Sequence, residues 1–120
     1  MKRILVVDND TGVCQMLKTT LQDLNFSAST AETGKEALEI YRSQDIDFVL
    51  LDVRMPDMEG KQTLEELKSI DPKVVCCFMS GSENMTPDEL SRLGAVGFIQ
   101  KPFSLEKVRQ LILTHLGEDA

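Results

Sequence analysis

An alternation constrains this chain most: short apolar runs, each followed by a stretch with helical spacing. "RILVVD" (3–8), "FSAST" (26–30), "DFVLLD" (47–52), "VVCCFMS" (74–80) and "VGFIQK" (96–101) read as strands. Several are apolar throughout rather than at every second position, as expected of a parallel sheet covered on both faces. Five helical patterns follow them. The first aligns Val13, Met16, Leu17, Leu21 and Leu24 in one stripe, and the last aligns Leu105, Val108, Leu111, Ile112 and Leu116. Boundary chemistry agrees: Thr33 with Glu36 has capping-box spacing, Thr86 precedes Pro87 at a first helical position, and Gly94 stands where that helix should stop. Five strand–helix repeats with right-handed crossovers make an α/β sandwich.

At 120 residues the chain is expected to form one domain over 1–120, able to bury a core without disulfides or structural metals. Its formal charge of −7, with no Lys/Arg cluster, argues against direct nucleic-acid binding and for a protein partner. The apolar run in "MKRILVVD" is too short for a signal peptide or a membrane span, so a cytoplasmic location without membrane association is expected. Cys14, Cys76 and Cys77 read as small core or subsurface residues. His115, in the last turn of the last helix, reads as a solvated surface residue, and nothing suits zinc.

Asp8, Asp52, Ser80 and Lys101 each end a proposed strand. A parallel sheet gathers such positions at its carboxyl edge, where open α/β sheets bind ligands. Asp52 directly follows Phe48, Val49, Leu50 and Leu51, a costly place for a charge unless cations or donors converge on it. Clustered carboxylates repel one another, so Mg²⁺ is the natural counterion, with Lys101 as a fixed positive charge.

The acidic cluster in "VVDND", then "LLDVRMPDMEG", "FMSG" and "GAVGFIQKPF", stand in this order along the chain. From Lys2 to about Leu116 the sequence resembles the receiver domains of bacterial two-component response regulators. The resemblance implies a flavodoxin-like (βα)5 fold, a doubly wound five-stranded parallel sheet in the order 2-1-3-4-5 that reverses between strands one and three. It also implies a reaction. Asp52 would accept a phosphoryl group from the phosphohistidine of a sensor histidine kinase or phosphotransfer protein. Mg²⁺ would be held by Asp8, Asn9, Asp52 and the backbone carbonyl of Arg54, and Lys101 would pair with the remaining negative charge. Ser80 would bond the phosphoryl group and Phe98 would follow it inward. Those movements would change the face of the fourth helix, fifth strand and fifth helix, where a downstream protein or a second copy docks. Such a chain is not an enzyme in the ordinary sense, since it catalyses only its own phosphorylation and dephosphorylation. The resemblance further implies a cis Lys101–Pro102 bond.

The chain departs from that pattern where two adjacent acids are usual, because Asn9 follows Asp8 and only then comes Asp10. An amide contributes no net charge, and one charge at close range is worth up to ~4 kcal/mol at an effective dielectric near 20. Weak Mg²⁺ binding is expected. Asp10 either swings toward the ion or caps the first helix. Arg54 either adds cationic pull or pairs with a surface acid such as Asp57 or Glu59, the preferred reading. Ser80 stands for the commoner Thr, Phe98 lacks the hydroxyl of the commoner Tyr, and Gly81 leaves the approach open. Met55, Pro56 and Met58 read as loop packing and Asp57 as a turn residue. Two rival functions remain. A haloacid-dehalogenase-type phosphatase needs a second acid where Arg54 stands. A pseudo-receiver, a binding module without phosphorylation, is kept in view by Asn9.

Overall fold

Every apolar run becomes a parallel strand in a computed structural model that describes residues 1–81 and 84–117. The elements are β1 (Arg3–Val7), α1 (Thr11–Asp23), β2 (Ser27–Ala31), α2 (Gly34–Ser43), β3 (Phe48–Asp52), α3 (Gly60–Ile70), β4 (Cys76–Ser80), α4 (Pro87–Leu93), β5 (Gly97–Gln100) and α5 (Leu105–Leu116). They form one sheet in the order β2-β1-β3-β4-β5, with all four neighbouring pairs parallel. This is the flavodoxin-like (βα)5 arrangement. Residues 118–120, included in the single-domain expectation, lie outside the described residues.

The central strands β3 and β4 are buried at every position, so alternation assigns each side chain to one of two cores. Val49 and Leu51 join Leu5, Val7 and Phe78 against α2, α3 and α4, whereas Phe48 and Leu50 join Ile4, Val6 and Met79 against α1 and α5. The all-apolar runs are explained by this double covering. At roughly 1.5–3 kcal/mol for each fully buried large apolar side chain, the two cores dominate the favourable side of folding.

Three sequence expectations shift in detail. The α1 stripe is carried by Cys14, Leu17 and Leu21, while Met16 is 40% exposed. Leu105, expected in the α5 stripe, is 48% exposed, and Val108 and Ile112 carry the burial. Val13, Leu24, Leu111 and Leu116 pack partly buried on the same core, so each stripe holds except at Met16 and at Leu105, the first residue of α5. At α2, Thr33 accepts from the Glu36 amide, but Glu36 bonds the Glu32 amide instead of Thr33, so the box is only half formed. The box Thr86/Glu89 at α4 is complete, and Gly94 ends that helix in the left-handed region at φ 77°. All three cysteines are buried and reduced. His115 is exposed but not simply solvated, for its ring lies 5.8 Å from that of Phe48, at the amino end of β3.

Candidate functional site

Alternation and register together build the site. Val7 pairs with Leu51, so the next residues, Asp8 and Asp52, emerge side by side at the carboxyl edge. Both follow the parity of Val6 and Leu50 and so fall on the face covered by α1 and α5. Lys101 follows the parity of Ile99 on that same face, and its amide donates to the Ser80 carbonyl at 2.7 Å. The Lys101–Pro102 bond is cis.

Lys101 joins the two acids. Its Nζ donates to Asp8 Oδ2 at 2.5 Å and to Asp52 Oδ2 at 3.4 Å. The Asp8 side chain is 1% exposed and that of Asp52 10%. Asp8 Oδ1 accepts from the Asp10 amide at 2.9 Å, and Asp52 Oδ1 from the Arg54 amide at 3.4 Å. Among the described residues every buried side-chain nitrogen and oxygen has a partner, as buried polar groups require. Burial and the nearby charge of Asp8 raise the Asp52 carboxyl above its ordinary value, against the pull of Lys101 and the Arg54 amide. For Lys101 burial works against the charge, and the bonds and charges of Asp8 and Asp52 outweigh it, leaving its ammonium above the ordinary value.

Above this triad lies an open cleft of about 410 Å³, lined by Asn9, Asp52, Arg54, Met55, Gly81 and Lys101 among others. Asp8 is not among the lining residues but bonds Lys101, which is. Ser80 is 2% exposed and follows the parity of Phe78 onto the opposite face, which it shares with the half-buried Phe98. The structure therefore brings Asp8, Asp52 and Lys101 into direct contact, with Asn9 and Arg54 on the cleft and Ser80 behind it.

Of the two roles open to Asp10, the structure displays the cap: its Oδ1 accepts from the amides of Gly12 at 2.8 Å and Val13 at 3.3 Å. Asp57, offered as a partner for Arg54, commits both oxygens to backbone amides, accepting from Gly34 and Lys35 at 3.0 Å each. Two acids remain at the cleft, and among the described residues no group of three His, Cys, Asp or Glu side chains is placed to hold a metal. Asp8, Asp52 and the Asn9 amide are nonetheless all oxygen donors, the set a hard cation prefers.

Gly60 went unnoticed in the sequence. A Cβ there would lie 2.3 Å from the Asp52 carbonyl oxygen and 2.9 Å from Val53 Cα, and its amide donates to the Val53 carbonyl at 2.7 Å. Only glycine lets α3 start directly against the end of β3. The signal was present as the glycine closing "VRMPDMEG".

Residues 4–113 match the family described as the response regulator receiver domain. The chemotaxis protein CheY of Bacillus subtilis is 35% identical over 113 residues, covering 92% of this chain and 93% of that protein. The transcriptional regulatory protein ZraR of Escherichia coli is 35% identical over 107 residues, covering 88% of this chain but only 24% of its own length. Among solved structures, the response regulator TrrA of Thermotoga maritima, in complex with Mg²⁺-BeF, superposes with a TM-score of 0.85 at 29% identity, over 97% of this chain and 100% of that one. The chain belongs to the response regulator receiver family of two-component systems. Members of that family are signalling modules.

Proposed function

We propose that residues 1–120 act as one receiver domain in which Asp52 accepts a phosphoryl group from the phosphohistidine of a sensor histidine kinase or phosphotransfer protein. The observation that carries this reading is the Lys101 ammonium bonded to Asp8 and Asp52 at the switch between β1 and β3. A carboxylate oxygen of Asp52 attacks phosphorus, an O–P bond forms, the N–P bond breaks, and its electron pair stays on the imidazole. Hydrolysis returns the carboxylate and releases inorganic phosphate, so the chain catalyses only its own modification.

Asp8, Asn9, Asp52 and the Arg54 carbonyl would hold Mg²⁺, which would supply positive charge against the phosphoryl oxygens. Lys101 neutralises the acids before transfer and turns to the phosphoryl oxygens after it. The Ser80 hydroxyl moves toward the phosphoryl group and Phe98 follows on the face they share. The result is read on the surface of α4, β5 and α5, where Val96 and Leu105 are exposed and Phe98, Gln100, Lys107 and Leu111 line a groove. A downstream protein, or a second copy in a homodimer, docks there. No helix among the described residues is long and apolar enough to cross a membrane, and the domain works in the cytoplasm, without binding nucleic acid itself.

Incubation with acetyl phosphate and Mg²⁺ followed by intact-mass measurement tests the reading. Wild type gains one phosphoryl group and Asp52→Asn gains none. Asn9 favours the second reading, a non-phosphorylated pseudo-receiver, and a wild type that gains nothing at any Mg²⁺ concentration selects it.

A further inference from the structure

We propose that Asp57 is a positioning residue for phosphoryl transfer: it ties the β3–α3 loop to the amino terminus of α2 and so fixes the backbone of Arg54 beside Asp52. The inference rests on Asp52 being the phosphoacceptor. Asp57 lies five residues beyond Asp52 and reaches back more than twenty positions to accept from the amides of Gly34 and Lys35. These are first-turn amides of α2, which have no partner inside the helix. The helix has its own cap, Thr33 on the Glu36 amide, so Asp57 supplies a second attachment from a different element.

Packing reinforces the tie. A Cβ on Gly34 would meet Thr63 Oγ1 at 2.6 Å and Met58 Cβ at 3.1 Å, so the residue after Asp57 is pressed on the start of α2. Thr63 in turn donates to the Glu59 carbonyl at 3.0 Å. At the far end, the Gly60 amide holds the Val53 carbonyl. The loop is thus fixed at Val53, Asp57 and Glu59, and Arg54 lies between the first two. Its amide donates to Asp52 Oδ1 at 3.4 Å, near the limit of a hydrogen bond, and its carbonyl is a proposed Mg²⁺ donor. A bond that long is lost on a small displacement. Burial opposes ionisation of Asp57, and the Gly34 and Lys35 amides outweigh it, so its carboxyl sits below the ordinary value and is charged at neutral pH.

The test compares Asp57→Ala, Asp57→Asn and Thr33→Ala with wild type, by the rate of phosphorylation from acetyl phosphate and by hydrogen exchange at the Arg54 amide. Asp57→Ala slows phosphorylation by roughly tenfold, as misplaced reacting groups do, and speeds exchange at Arg54. Asp57→Asn, retaining one acceptor oxygen, falls between. Thr33→Ala removes α2's own cap but leaves the loop attached, so both readouts stay at the wild-type level. Asp57→Ala at the wild-type rate, or Thr33→Ala slowed equally, overturns the proposal. Those results leave the phosphoacceptor reading intact, whereas a wild type inert to acetyl phosphate removes both.

Discussion

Lys101 and Asp8 meet in a hydrogen bond across 93 positions of sequence, and the same ammonium reaches Asp52. One cation therefore serves two acids from neighbouring strands. Asp8 and Asp52 are both buried, so the ammonium compensates charge that water reaches poorly.

Replacing Lys101 by Met removes that cation while keeping much of the stem's bulk. Two like charges then face each other under partial burial. Breaking a buried pair from one side costs ~3–5 kcal/mol, and the open cleft above this one places the expected loss near ~3 kcal/mol at neutral pH. Urea unfolding checks it. A variant as stable as wild type contradicts the role given to the ammonium.

Asp52→Asn should stabilise the fold even as it abolishes phosphorylation. Burial and the charge of Asp8 raise the Asp52 carboxyl in the folded state. An acid with a raised folded value contributes stability that is present below its unfolded value and lost as pH rises through the folded one. Wild type and variant should therefore unfold alike below roughly pH 4, the ordinary aspartate range. They should separate as pH rises, with Asn the more stable by on the order of 1 kcal/mol. Thermal unfolding at a series of pH values reads the sign, and a less stable variant at neutral pH refutes it.

Gly60 and Gly81 flank the same site with opposite tolerance. A Cβ at Gly60 would collide with the backbone of Asp52 and Val53, which cannot swing aside. Among the described residues, a Cβ at Gly81 would meet Lys101 Cβ at 4.0 Å. Gly60→Ala should cost ~1–3 kcal/mol, the range for overpacking, and impair phosphorylation by moving the nucleophile. Gly81→Ala should leave stability within about 0.5 kcal/mol. Equal unfolding midpoints for the two variants would contradict the close approach of α3 to β3.

The sheet was legible because strands covered on both faces have to be apolar at every position, and the polar residues ending those runs mark one edge. Chain reversals were legible wherever a single residue type carries the geometry, as at Gly94. What sequence left open was the choice between equivalent partners. Asp10 is chemically fit for a metal or a helix cap, and only the position of the Gly12 and Val13 amides settles which it touches. Asp57 reads as a turn residue because its partners, Gly34 and Lys35, are remote in sequence and are backbone groups that leave no side-chain signature. Gly60 was missed for a similar reason: the atom it avoids is the Asp52 carbonyl.

Asn9→Asp should restore the acid that the cleft lacks. Asn9 is exposed and lines the cleft with Asp52, so a carboxylate there can reach an ion without disturbing the core. Asp10 is committed to its cap, and Asp8 and Asp52 are already counted among the donors, so position 9 is where a further charge can be added. A new charge at close range is worth up to ~4 kcal/mol before solvation losses. A third of that already amounts to about tenfold in affinity. Mg²⁺ titration followed by backbone amide shifts should show weak binding in wild type and binding roughly tenfold tighter in Asn9→Asp. Because the added carboxylate also repels Asp52, the variant without Mg²⁺ should be the less stable protein, and saturating Mg²⁺ should reverse that order. Equal affinities for the two proteins would mean that the amide at position 9 does not limit metal binding.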